Sequence, residues 1–274
     1  MSDNPLKAYF RRPSLYFKLP SNGKYYPPGV VNIPPNEELA VYPMTSLDEI
    51  AIRTPDGLFN GSSIVSVIKN CIPEILDPWQ LNDIDLEAII VAIRAASVNN
   101  ELDILSTCPS CEEESKYGIN LLQLLASKKE VDYSTPLEIK DISVKFRPLT
   151  FAETNKNGLV QFQIQQTLKM LDSVEDADEK QKLMNESVIK LNDMILDVIC
   201  QTIESITTPE VTVTDAAFIR EFMSECDSKT SKKIKEYSGE LREKNETRPL
   251  AMKCINCQHQ YDQPLVLNFT DFFD

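Results

Sequence analysis

The chain has 274 residues, with 28 Lys+Arg against 42 Asp+Glu for a formal net charge of −14, and 42% of its residues are hydrophobic. A chain of this length buries roughly three quarters of its unfolded surface, so it needs no disulfide framework. The composition excludes disordered and collagen-like classes, and the acidic balance opposes binding to a phosphate backbone unless basic residues gather on one face.

Two scarcities narrow the chemistry further. Histidine occurs once, as His259, and glycine seven times. A Ser/His/Asp triad, a His-rich catalytic zinc site or a Cys/His nucleophile pair would each depend on that single imidazole. No Gly-x-Gly-x-x-Gly or Walker A run is present, so no phosphate cradle is expected. The reading is a protein without enzymatic activity. Met1-Ser2-Asp3-Asn4-Pro5 lacks a basic segment followed by an apolar run, and no stretch approaches the ~18 apolar residues of a membrane span. A cytosolic chain with no membrane partner is expected. In that reducing compartment, seven cysteines argue for metal ligands and buried thiols.

Residues 1–45 are rich in proline and aromatics and read as an extended arm with short strands. Leu15 to Tyr26 form two extended runs across a Ser21-Asn22-Gly23 turn. The aromatics either pack on the domain behind them or reach a neighbouring subunit. A helical core is expected over 46–107, with helices near 46–54, 61–72 and 83–97. The first opens on Ser46-Leu47-Asp48-Glu49, which has the form of a capping box. The third is apolar on most of its circumference and therefore central, and Cys71 on the second is a core thiol.

Residues 108–150 hold a Cys-x-x-Cys knuckle and then a period-two pattern, Leu137, Ile139, Ile142, Val144 and Phe146, broken at Lys140-Asp141 as in a hairpin. Thr150 and Glu153 offer a second capping box. A long-helix insertion over 151–249 follows, with helices at about 151–172, 179–206 and 215–244. The acidic run Glu175 to Glu179 separates the first two. Apolar residues recur at three- and four-residue spacing through Leu183, Val188, Leu191, Ile195, Leu196, Val198, Ile199 and Ile203. Such hairpins serve as coiled-coil arms or pack as a bundle on themselves, and the pattern leaves both open. Cys200 and Cys226 read as buried or half-buried thiols. The basic residues from Lys229 to Arg248 alternate with glutamates, as on a solvated ion-paired helix. Residues 250–274 hold the second knuckle and a C-terminal strand.

The chemistry-bearing pattern is the pair Cys108-Pro109-Ser110-Cys111 and Cys254-Ile255-Asn256-Cys257. Each lies between β-like flanks, with Tyr117 following the first and Tyr261 the second, as on the tips of β-hairpins. Two thiolates separated by two residues reach adjacent corners of a tetrahedron with Zn–S bonds near ~2.3 Å, and two such knuckles fill the shell. Four thiolates leave no position for water, so the Zn2+ would be structural. The separation is unusual, because residues 112 to 253 intervene where a compact ribbon has about 15–20. Either a helical insertion splits one ribbon or the two pairs do separate things. Paired thiols without metal, thioredoxin-like redox activity and His259 as a replacement ligand are the competing readings. The fold class expected is mainly α with small β elements (α+β), a helical bundle carrying a split zinc ribbon held by Cys108, Cys111, Cys254 and Cys257.

Several segments together resemble the baseplate hub and hub-assembly proteins of T-even-like contractile-tailed bacteriophages. They are Leu19 to Tyr26, Tyr42 to Glu49, Ile93-Arg94-Ala95-Ala96-Ser97, the first knuckle with Ile119-Asn120-Leu121, the strand and helix over 142–153, and the second knuckle ending in Asn268 to Phe273. The resemblance implies a non-enzymatic tail protein, either a hub subunit or an assembly chaperone. Its partners would be other baseplate and tail proteins, with self-association as a further option. It would reside in the host cytoplasm during assembly and, as a subunit, in the virion tail. The alternative is a zinc-ribbon nucleic-acid-binding or transcription-related module, which the acidic balance opposes.

Overall fold

The computed structural model describes residues 4–54, 57, 60–171, 176–245 and 249–265. Their contacts form two compact units, one from residues up to 130 together with those from 249 onward, the other from 131–245. Helices dominate in both, with short antiparallel sheets, so the mixed α+β expectation holds.

The first unit is built around one helix. Strand β1 (Leu15–Phe17) pairs antiparallel with β2 (Leu39–Val41). Helix α1 (Ser46–Ile52), α2 (Ser62–Cys71), α3 (Asp83–Ser97) and α4 (Leu121–Ser127) follow, with the hairpin of β3 (Glu101–Thr107) and β4 (Glu114–Asn120) placed before α4. Helix α3 buries an unbroken run from Ala88 to Arg94, because α2, α4, β1 and β2 all pack against it. Burying a large aliphatic side chain stabilises by about 1.5–3 kcal/mol, which makes α3 the main contributor to this core. Cys71 is fully buried there, as expected. Gly61 starts α2 at φ 77°, a left-handed conformation that a Cβ would disfavour.

Asp85, in the first turn of α3, ties the arm to this core. It is fully buried and accepts hydrogen bonds from the Ser21 N–H at 2.8 Å, the Ser21 hydroxyl and the Tyr26 hydroxyl at 2.7 Å. Burial pushes its carboxyl above the ordinary range while these donors pull it back down. Of the arm aromatics, Phe17 is buried, whereas Tyr9, Phe10 and Tyr16 are exposed. The expected local hairpin is corrected: Leu15–Phe17 pairs with Leu39–Val41, not with residues 24–26. Asn22, Gly23 and Tyr25 all take positive φ, so the chain turns there without a second strand.

The first capping box also lies one residue earlier than expected. Thr45 is the N-cap, with Asp48 returning the bond, and Ser46 is already helical. Asn70 and Arg11 fasten the same buried carboxylate. Burial tends to raise Asp48, but hydrogen bonds from Asn70 and Thr45, with the Arg11 charge, hold it below the usual carboxylate range.

In the second unit β5 (Leu137–Ile139) and β6 (Ile142–Phe146) form the expected hairpin across Lys140-Asp141. It grows into a four-stranded antiparallel sheet with β7 (Ile203–Thr207) and β8 (Thr212–Val213). Helices α5 (Phe151–Met170) and α6 (Ala177–Thr202) pack antiparallel, Asn157 donating to Gln201 at 2.8 Å. The capping box at Thr150 and Glu153 is present, and Arg147 braces Glu153 at 2.9 Å. Burial alone would raise Glu153, yet Arg147 and Thr150 hold it below its ordinary value.

Two expectations here are corrected. Residues 203–206 extend no helix: Ile203 begins β7, because Ile203 and Ile206 face the sheet's buried side opposite Phe146 and Val144. The helix expected over 215–244 divides into α7 (Ala216–Glu225) and α8 (Ser228–Asn245). Asp227 causes the restart by accepting from the N–H groups of Lys229 and Thr230. Cys200 and Cys226 are half-buried, and on α8 Lys232 pairs with Glu236 at 3.6 Å.

Strands β9 (Leu250–Lys253) and β10 (Gln260–Gln263) return the chain to the first unit. The expected strand beyond residue 265, including Asn268 to Phe273, lies outside the described residues, as do Glu175, Glu246 and Arg248. No described helix is long and apolar enough to cross a membrane.

Candidate metal centre

Both Cys-x-x-Cys pairs occupy six-residue loops that close β-hairpins. Thr107 pairs with Glu114 on either side of the first loop, and Lys253 with Gln260 on either side of the second. The two loops share one hydrogen-bond pattern. The first cysteine donates its N–H to the sixth residue, Cys108 to Glu113 at 3.0 Å and Cys254 to His259 at 2.9 Å. The fifth residue donates back to the first, Glu112 to Cys108 at 2.9 Å and Gln258 to Cys254 at 3.1 Å. Glu112 and Gln258 both take positive φ, 58° and 63°. A backbone N–H also points at the first sulfur of each loop at 3.4 Å, from Ser110 to Cys108 and from Cys257 to Cys254. The same local sequence chemistry has thus produced the same turn twice.

Face to face, the loops bring four sulfurs together. Cys108 Sγ lies 3.6 Å from Cys257 Sγ, and Cys111 Sγ lies 3.6 Å from Cys254 Sγ. All four lie within 4.8 Å of one another. Sulfurs at the corners of a tetrahedron with metal–sulfur bonds of about 2.3 Å stand about 3.8 Å apart, so the set matches a four-thiolate cage. It does not match disulfides, whose sulfurs are about 2.05 Å apart, and all seven cysteines are free. Cys108 and Cys254 are buried, Cys111 is half-buried and Cys257 exposed.

The electrostatics are uneven. The Cys257 N–H, with that of Asn256, lowers Cys254 to about 7 against the opposing effect of burial. For Cys111 the Glu113 amide lowers the thiol, but the neighbouring thiols and burial together push it up to about 12. Four thiolates this close repel unless a cation sits among them, and soft thiolate donors in tetrahedral array suit Zn2+ or iron.

Sequence reasoning singled out the four cysteines whose sulfurs converge here and missed what fastens the two hairpins to each other. The buried Ser106 hydroxyl meets the Tyr261 hydroxyl at 2.9 Å and donates to Gln263 at 2.7 Å. The Tyr117 hydroxyl donates to the Lys253 carbonyl at 3.3 Å. The available signal was Ser106, a small polar residue on the side of β3 where Leu102 is buried. An open groove of about 530 Å³ runs alongside, lined by Tyr117, Ile119, Leu124, Leu250 and Met252 among others. His259 is exposed, stacked against Tyr261 at 6.4 Å between ring centres, and outside the sulfur cluster.

The chain is thus of mixed α+β class and brings two hairpins, distant in sequence, together at one four-sulfur cluster. Residues 50–274 match the family model of the T4 bacteriophage base plate protein, and the chain belongs to that family. That membership supports a structural role in a phage tail baseplate, among other tail proteins. Comparisons with curated proteins and with solved structures give no match.

Proposed function

We propose that this chain is a non-enzymatic component of the baseplate hub, as a resident subunit or an assembly factor, and that Cys108, Cys111, Cys254 and Cys257 hold one structural Zn2+. The observation that carries the metal reading is the convergence of four sulfurs from two matching hairpin loops. A complete thiolate shell leaves no open position for substrate or water, which favours a staple over a catalytic centre. The family membership supports a place in the tail baseplate; on this proposal the chain is in the host cytoplasm during assembly and, as a subunit, stays in the tail.

Native mass spectrometry tests the metal. The expected result is one zinc per chain, lost in the Cys108→Ser, Cys254→Ser double variant; an iron-loaded or metal-free wild-type chain would refute the zinc assignment. Quantitative peptide mass spectrometry of purified particles against infected-cell lysate tests the role. A fixed ratio to tail proteins in particles identifies a hub subunit. Abundance in lysate alone, with capture on partly built baseplates, identifies an assembly factor. Failure to associate with any baseplate protein sinks both.

A further inference from the structure

Helix α6 carries a second feature, on the side that its own unit does not cover. Met184, Val188, Leu191 and Ile195 recur at four-, three- and four-residue spacing and are 49%, 47%, 37% and 45% exposed. This spacing places them on one stripe of an α-helix. The helix's packed stripe is a different one: Ser187 is buried and Leu183 and Met194 half-buried, on the side where α5 lies.

We propose that the Met184–Ile195 stripe is a self-association seam, which docks on the same stripe of a second copy of this chain as a short parallel two-stranded coil. Two observations choose this occupant. In heptad terms Val188 and Ile195 stand at a, and Met184 and Leu191 at d. β-branched residues at a with unbranched or γ-branched residues at d favour two parallel strands over three or four. The flanking positions are neutral: Asn185 and Asn192 on one side, Ser187 and Met194 on the other. A second copy of a chain with net charge −14 therefore meets no carboxylate next to the seam. The carboxylates of Glu186 and Asp193 stand on the far side of the helix. Four half-exposed side chains fall short of the ~800 Å² per partner of a standard stable interface, so the pairing is concentration-dependent.

Parallel, in-register pairing sets each residue against its own counterpart, which makes the test specific. Sedimentation velocity of the full chain over a concentration series should show a monomer–dimer transition. Val188→Glu and Val188→Lys should each weaken the dimer at least about tenfold, by burying a charge against its like, with unchanged far-ultraviolet circular dichroism. An equimolar mixture of the two variants should recover dimer, since Glu then faces Lys. The proposal is overturned by a wild-type chain that stays monomeric throughout, by a dimer indifferent to both variants, or by a mixture no more dimeric than its parts.

Discussion

Helix α3 in the first unit and α6 in the second are both rich in Ile, Leu and Val, yet they are used in opposite ways. The first is enclosed, with Ile89, Val91, Ala92 and Ile93 fully buried between α2, α4 and the β1–β2 pair. The second has α5 along one side and α7 and α8 near its C-terminal end, and leaves Met184 to Ile195 open. Apolar content alone does not say whether a helix is core; the number of sides that find a neighbour decides it. The first unit encloses its main helix, whereas the second leaves an apolar stripe of its long helix exposed.

The contrast can be broken most strongly at the sulfur cluster, which belongs wholly to the first unit. On the zinc proposal, chelation or the Cys108→Ser, Cys254→Ser change removes apparent stabilisation on the order of 10 kcal/mol. Hydrogen exchange should then rise across residues 101–120 and 250–263 and stay near its starting level in α5 to α8; uniform loss of protection would show that the units do not fold independently. Next in size is a matched pair of truncations. Ile89→Ala in α3 should cost about 2–5 kcal/mol in denaturant unfolding, and Ile189→Ala on exposed α6 should stay within about 0.5 kcal/mol. Equal costs would mean that α6 is packed in solution. Smaller still, Thr150→Ala removes the cap of α5 and should cost about 1 kcal/mol, read as a lowered unfolding midpoint.

The smallest effect is that of pH, and its sign follows from the two braced carboxylates. Asp48 in the first unit and Glu153 in the second are both held below their ordinary values. Each therefore adds stability that is fully present above the unfolded carboxylate pKa and is lost as pH falls through the lowered folded value. Unfolding midpoints measured from neutral pH down to about 3 should decline in the second unit, whereas in the first the raised Asp85 carboxyl, which adds stability as pH falls, works against Asp48. Arg147→Gln should shrink the decline in the second unit and leave the first unchanged.

Much of this was legible in residues. Helix α3 matched its expected bounds because Asn82 caps it and a 15-residue, largely apolar segment is too long for a buried strand. The cysteine loops were legible because two-residue spacing within a β-flanked turn has few structural solutions. What escaped was set by long-range partners. Ile203 and Ile206 continue the apolar pattern of α6 and could extend it; only pairing with Phe146 and Val144 makes them a strand. Leu15–Phe17 finds its partner at Leu39–Val41 across a turn that a local reading closes too soon. Thr45 and Ser46 are both competent caps, each followed three residues on by an acid, so composition could not rank them. The contacts of Ser106 with Tyr261 and Gln263 bridge segments more than 150 residues apart, beyond any local pattern.

The split placement of the two cysteine loops also imposes an order of events on synthesis. Cys111 and Cys254 are separated by 143 residues, and the whole second unit is translated between them. At ordinary elongation rates of about 5–20 residues per second, that interval is roughly 7–30 s. For that time the first hairpin emerges with its sulfurs unmatched, while the sheet and long helices of the second unit become available to fold. The sulfur cluster of the first unit can therefore close only after the second hairpin has been made, and a chain truncated before Cys254 lacks half of it.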